Sequence, residues 1–185
     1  MSRRNAPSVN SGSMADIAFL LLIFFLLTTT ISAEKGIKRQ LPKPCPTAQD
    51  CVQTIEEPNL LKIVTNLNSE LMVNDLMVSV DELEEIVKNF VDNNSEGSCD
   101  YCHGLQIRES SEHPKKAHIA LQVHPKTKYS VYIAIQDQIT AAYFELRDKY
   151  IKTTFQSDFG ALSQSQIKRA RKAYPFNLIE VPFRQ

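Results

Sequence analysis

The stretch SMADIAFLLLIFFLLTTTIS, residues 13–32, is almost entirely apolar and contains a single carboxylate, Asp16. An α-helix of this length rises about 30 Å, which matches the hydrocarbon core of a bilayer. A helix of a soluble protein usually keeps a polar face, and Ile17 to Leu27 has none. The run therefore predicts a retained transmembrane helix at 13–33. A cleaved signal peptide is disfavoured because Ser32-Ala33 is only a weak cleavage site.

The segments around this span divide the chain into four parts. Residues 1–12 form a short polar tail, and 13–33 form the span. Prolines at 42, 44, 46 and 58 predict an extended linker over 34–59. Residues 60–185 are long enough for one domain with a core of its own. The formal net charge of zero argues against a nucleic-acid partner.

The pattern of residues 60–185 alternates between strands and helices. Strands are predicted at 60–66, at 70–78 with a turn at Asn74-Asp75, at 117–123 and at 176–183. Helices are predicted from Ser79, which stands in capping-box spacing with Glu82, over 129–154 and over 163–173. Residues 95–116 are predicted to be a surface loop. This order predicts an α+β fold with helices packed on one mixed sheet.

Two features give different answers about the side of the membrane on which the domain lies. More positive charge follows the span than precedes it, which favours a cytoplasmic domain. The charges are Arg3 and Arg4 before the span and Lys35, Lys38, Arg39 and Lys43 after it. All four cysteines follow the span, and an even number is typical of disulfides in an oxidising compartment.

Asp16 has two interpretations. In the first turn of a helix, a carboxylate is stabilised by the positive end of the macrodipole and needs no further role. A carboxylate at the edge of lipid also loses hydration, which favours its protonated form and suits a group that carries protons between two compartments. Thr28, Thr29 and Thr30 are candidates to line a polar path, although their hydroxyls can instead bond to the backbone one turn earlier.

The cysteines have three interpretations. CDYCH, residues 99–103, fits the attachment pattern of haem c, and the four cysteines together offer a zinc ligand set. Disulfides are favoured because the motif lies in a polar loop, with Cys45–Cys51 and Cys99–Cys102 as local pairs. We therefore expect no metal and no cofactor. Phosphate loops and nucleophile-base patterns are absent from the sequence, so we expect no enzyme active site. The basic run KRARK, residues 168–172, is typical of a solvated helix face.

The anchor resembles that of the ExbD/TolR family of membrane-energised motor subunits. The resemblance is carried by SMADIAFLLLIFFL (13–26), by KRQLP (38–42), and by the strand, hairpin and helix that begin at Leu60. It covers the anchor strongly and the domain loosely, because 95–116 looks like an insertion and the tail from 155 to 175 is long.

The resemblance implies a location and a function. It implies the bacterial inner membrane, a cytoplasmic N-terminus, a periplasmic domain and a proton-carrying role for Asp16. It also implies a homodimer that works with an ExbB-like multi-span channel protein and energises a TonB-like protein for outer-membrane import. Two alternatives stay open: a TolR-like subunit that binds peptidoglycan and maintains the envelope, and a membrane-anchored redox or haem protein.

Overall fold

The computed structural model describes residues 10–28, 55–157 and 162–183, which belong to two compact units, Met1–Cys51 and Val52–Gln185. The first unit contains one described helix, α1 (Ser11–Thr28), with 18 residues and a mean hydropathy of 2.0. By length and composition this helix can cross a membrane. None of its side chains is buried, so its apolar surface is available to lipid or to partner helices.

Asn10 explains where α1 begins. Its Oδ1 accepts a hydrogen bond from the Gly12 N–H at 3.0 Å, and its carbonyl accepts one from the Met14 N–H at 3.3 Å. Asparagine is among the preferred N-cap residues because its side chain satisfies a donor of the first turn. The helix therefore begins at Ser11, two residues before the predicted start at 13. Residues 29–33 of the predicted span lie outside the described residues.

The second unit is built on a five-stranded mixed sheet of order β3-β2-β1-β4-β5. The strands are β1 (Leu60–Thr65), β2 (Leu71–Val73), β3 (Leu76–Val78), β4 (His118–Gln122) and β5 (Leu178–Glu180). The first three pair antiparallel, whereas β4 pairs parallel with both β1 and β5. The α+β fold with helices on a mixed sheet is therefore confirmed.

The region 70–78 forms a hairpin of two short strands, where one strand and a turn were predicted. Asn74 and Asp75 make the turn, as expected, with φ angles of 45° and 68°. Asparagine and aspartate tolerate this left-handed region, which tight hairpin turns require. Asn74 also accepts a hydrogen bond from the Lys62 N–H at 3.0 Å, which fixes the turn against β1. The turn therefore divides the predicted 70–78 strand into β2 and β3, which carry the same three residues, Leu-Met-Val.

The helices pack against this sheet through their apolar faces. They are α2 (Leu83–Val91), α3 (Tyr129–Phe155) and α4 (Gln164–Ala173). The predicted capping box of Ser79 and Glu82 is present, and it starts a short 3-10 turn that leads into α2. The core contains Leu83, Val87, Phe90 and Val91 from α2 and Ile135, Ile139, Ala142, Tyr143, Leu146 and Tyr150 from α3. These positions repeat at helical spacing, so α2 and α3 each turn an apolar stripe towards the sheet.

The ends of the predicted linker and of the last strand differ from expectation. Glu57–Asn59 already form a 3-10 turn of the domain, in which Asn59 is buried and donates to Glu112 Oε2 at 3.1 Å. The rest of the 34–59 linker up to residue 54 lies outside the described residues. The last strand contains only Leu178–Glu180 of the predicted 176–183.

The segment 95–116 has no regular helix or strand, but it is not only a surface loop. Asn93, just before it, donates from Nδ2 to the carbonyls of Ile107 and Ser111 at 2.8 and 2.9 Å. Its Oδ1 accepts from the Ile107 N–H at 2.8 Å. Asn93, Cys99 and Ser111 are buried. Most of the segment is exposed or half-buried, as expected of a surface loop, and the Asn93 side chain holds its backbone against the end of α2.

Candidate proton-carrying site

Asp16 is an exposed residue of α1 and lies beyond the first helical turn, which contains no acidic residue. The macrodipole stabilises a carboxylate only within the first turn, where backbone N–H groups lack partners. The interpretation of Asp16 as a first-turn cap is therefore wrong, because Asn10 and not Ser13 stands at the start of the helix.

The helix places Asp16 on an otherwise apolar face. At about 100° per residue, the side chains above it on the same face are Leu20, Ile23 and Leu27. All three are exposed large apolar side chains. A carboxylate in such a setting is costly unless it is protonated or meets polar groups of another chain. The arrangement can thus present one titratable group at one end of an apolar span.

Thr28 is displaced from this face. It lies about 18 Å further along the helix than Asp16 and about 120° around it. Its hydroxyl donates to the Phe24 carbonyl at 2.8 Å. This bond to the backbone uses the proton that the hydroxyl could otherwise donate in a polar path. A hydroxyl engaged in this way can still accept a hydrogen bond. Thr29 and Thr30 lie outside the described residues, so the threonine path stays a prediction.

In the domain, Cys99 and Cys102 are joined by a disulfide, with their Cα atoms 5.5 Å apart. Cys99 is buried, and its backbone N–H donates to Asn94 Oδ1 at 3.0 Å. Asn94 in turn donates to the Cys99 carbonyl at 3.3 Å. The first cysteine of the pair is therefore held by side-chain hydrogen bonds as well as by the disulfide. Cys45 and Cys51 lie outside the described residues.

The haem and zinc interpretations both need sulfurs that this disulfide uses. Covalent haem would take one thioether bond from each of Cys99 and Cys102, and the zinc set would take both thiolates. His103 lines a polar groove of about 260 Å³ together with Lys88, Asp92 and Glu145. Leu105 and Leu146 also line this groove, but its volume is below the range of about 300–1,000 Å³ that is typical of pockets for small ligands.

Tyr101, between the two cysteines, packs into an aromatic cluster. Its ring makes edge contacts with Tyr150 and Tyr174, at centroid distances of 5.1 and 5.5 Å, and its hydroxyl donates to the Ala173 carbonyl at 3.0 Å. Burial raises the pKa of Tyr101 to about 12. The disulfide loop is thereby fixed against the ends of α3 and α4.

Asp92 and Tyr174 form a buried pair beside this loop. The Tyr174 hydroxyl donates to Asp92 Oδ1 at 2.5 Å, and the His103 N–H donates to Oδ2 at 3.1 Å. Burial, and then the hydrogen bond to Asp92, raise the pKa of Tyr174 well above its ordinary value. Sequence reasoning missed this pair because 82 positions separate its members and neither belongs to a local motif.

The sequence model of one family, described as biopolymer transport protein ExbD/TolR, matches residues 2–147. The match includes α1 with Asp16, the strands β1 to β4, helix α2 and most of α3. The chain belongs to the ExbD/TolR family. No curated protein matches this chain closely enough to count as a relative.

Membership of the ExbD/TolR family places the chain among energy-transducing subunits of biopolymer transport. The members are transport accessory proteins, not enzymes, and they are anchored in the inner membrane. Their partners belong to the ExbB/TolQ and TonB/TolA systems. One apolar helix near the N-terminus, α1, agrees with this anchoring.

Proposed function

We propose that this chain is an ExbD-like subunit in which Asp16 carries the protons that power transport. It works as a homodimer within an ExbB-like multi-span channel protein and energises a TonB-like protein for outer-membrane import. The observation that carries the proposal is the position of Asp16, a lone carboxylate on an apolar helix face beyond the reach of the N-terminal cap.

The energetics of this role depend on a partner. A carboxylate exposed to lipid is expensive in its ionised form, whereas one that faces polar groups of a surrounding channel can gain and lose a proton. One elementary charge that crosses 100 mV releases about 2.3 kcal/mol, so several protons are needed for mechanical work on a second protein. The leucine and isoleucine side chains on the same face of α1 supply no alternative acceptor.

The proposed orientation puts the N-terminus in the cytoplasm and the domain in the periplasm. The disulfide between Cys99 and Cys102 supports it, since structural disulfides persist in oxidising compartments. A periplasm-specific reporter fused after Gln185 should be active. Activity of a cytoplasm-specific reporter at the same site would reverse the orientation.

The experiment compares three variants of the full chain as the sole copy in its own cells. Asp16→Asn keeps the size and hydrogen bonding of the side chain but removes the exchangeable proton, so proton-driven import should stop. Asp16→Glu keeps the carboxylate and displaces it by one methylene, so most import should also be lost. Ser13→Ala, the control, removes a neighbouring polar group without affecting the carboxylate and should import normally.

Amounts of inserted protein, and its co-purification with the multi-span partner, are measured in parallel. Normal import by Asp16→Asn cells would refute the proton-carrying role. If import is normal when the gene is deleted but the envelope leaks, the subunit belongs to the TolR-like branch of the family. In that case the partners are those of the TolR-like branch. The Asp16 variants still test the proton-carrying role, but the measured property is then envelope integrity instead of import.

A further inference from the structure

A cavity of about 190 Å³ lies on the domain surface where three segments meet. Tyr101 from the disulfide loop and Tyr150 from α3 line it, and α4 contributes Arg169 and Lys172. Lys115, from the turn before β4, completes the ring of positive charge. Two cations of α4 and one from a distant turn therefore converge on one concave surface with two aromatic rings.

These cations have no acidic partner in residues 55–157 and 162–183. The neighbouring Lys116 shows the contrast, because it pairs with Glu112 at 2.8 Å and with Glu96 at 3.2 Å. Helix α4, Gln164–Ala173, contains no acidic residue. Cations in the last turn of a helix favour its dipole, which accounts for Lys172. It does not account for Lys115, which reaches the same cavity from another segment.

Arg169 is held against an aromatic ring at the edge of the cavity. Its guanidinium lies over the Phe155 ring, 5.4 Å from the centroid, and the same ring packs against Tyr150 at 5.9 Å. Stacking on a ring face restrains the guanidinium and leaves its N–H donors at the edge. Arg169 and Lys172 are three positions apart, so they share one side of α4.

We propose that this cavity binds a phosphate group, either of a soluble phosphate compound or of an anionic phospholipid headgroup. A tetrahedral phosphate presents oxygens in several directions, so three cations around it can each face a different oxygen. A planar carboxylate is satisfied by one guanidinium fork and does not need the other two charges. Arg169 and Lys172 lie beyond the family match, which ends at residue 147, whereas Lys115 and Tyr101 lie within it.

The test uses the full chain in nanodiscs of phosphatidylcholine, titrated with inorganic phosphate by calorimetry at constant ionic strength. Binding is expected, and the double variant Lys115→Gln/Lys172→Gln should weaken it by about a hundredfold, since each charged hydrogen bond is worth about tenfold. The matched control is Arg171→Gln. Arg171 is exposed in the same last turn of α4 but does not line the cavity.

The outcomes separate the two sources of phosphate. In nanodiscs that also contain phosphatidylglycerol, a weaker apparent affinity for inorganic phosphate shows that headgroups occupy the site. Equal affinity in both discs assigns the site to a soluble phosphate compound. Failure to bind phosphate in the neutral discs overturns the proposal. The proposal is also overturned if Arg171→Gln weakens phosphate binding as much as the double variant does. Phosphate would then be attracted by the overall positive charge of α4 and not by the cavity. Unchanged circular dichroism of each variant shows that folding is intact.

Discussion

Removing one hydroxyl tests the buried pair of Asp92 and Tyr174. Tyr174→Phe keeps the ring, which contacts Tyr101 at 5.5 Å, and deletes only the donor to Asp92 Oδ1. Tyr174 is 2% exposed and Asp92 is 7% exposed, so water cannot easily replace the lost donor. A hydrogen bond to a charged group contributes about 1.5–3 kcal/mol, and the variant should be destabilised by this amount at pH 8.

The destabilisation caused by Tyr174→Phe should become smaller at alkaline pH. An unfolded tyrosine loses its proton at a pKa of about 10, whereas burial and the bond to Asp92 raise the pKa of Tyr174 in the folded domain. The folded state keeps this proton where the unfolded state has released it. The corresponding stability is fully present below about pH 10 and falls by about 1.4 kcal/mol per pH unit above it. Phenylalanine has no proton to lose, so Tyr174→Phe does not have this loss of stability. The difference in free energy of unfolding between the wild type and Tyr174→Phe should therefore be about 1.4 kcal/mol smaller at pH 11 than at pH 8.

The assay is urea unfolding of the full chain in neutral detergent, followed by far-ultraviolet circular dichroism at both pH values. Tyr129→Phe is the control, because Tyr129 is 75% exposed at the start of α3 and its loss should change stability by less than about 0.5 kcal/mol. An identical deficit of Tyr174→Phe at pH 8 and pH 11 would refute the reasoning. It would mean that Tyr174 releases its proton equally easily in the folded and unfolded states.

Three further substitutions probe the 95–116 segment by the same unfolding assay. Gly104→Ala should destabilise the domain by about 1–3 kcal/mol, because a Cβ there would overlap the Asp92 carbonyl oxygen; wild-type stability would show that the loop can move away. Asn93→Ala removes three hydrogen bonds to backbone groups and should cost about 3 kcal/mol, whereas a cost below about 1 kcal/mol would indicate that water replaces them. Cys99→Ser/Cys102→Ser opens a short loop, so about 2 kcal/mol should be lost, and thiol labelling of the unreduced wild type should detect neither cysteine.

Several elements were predicted from the sequence because their signals are local. The Asn74-Asp75 turn depends on two residues that accept positive φ, and the capping box depends on the spacing of Ser79 and Glu82. The apolar stripes of α2 and α3 follow from helical periodicity alone. Local signals were less reliable at the ends of elements, such as the start of α1 after Asn10 and the last strand, which is shorter than predicted.

The candidate proton-carrying site was predicted from one residue, and the structure changed its interpretation. Asp16 is visible in the sequence as the lone carboxylate of an apolar run. Its place within the helix depends on where the helix begins, and that is decided by the Asn10 cap. The signal was present, since asparagine is a preferred N-cap residue, but the polar residues before Ser13 were assigned to the tail.

The sequence by itself determined the apolar helix α1, the α+β class and the helical faces, because these depend on neighbours within a few residues. Only the tertiary structure decided the parallel pairing of β1 with β4, the contact of Asp92 with Tyr174 and the burial of Cys99. These contacts join positions that are far apart in the chain, and each depends on how helices and loops pack on the sheet. The convergence of Lys115 with Arg169 and Lys172 has the same cause, because no local pattern relates a turn before β4 to the face of α4.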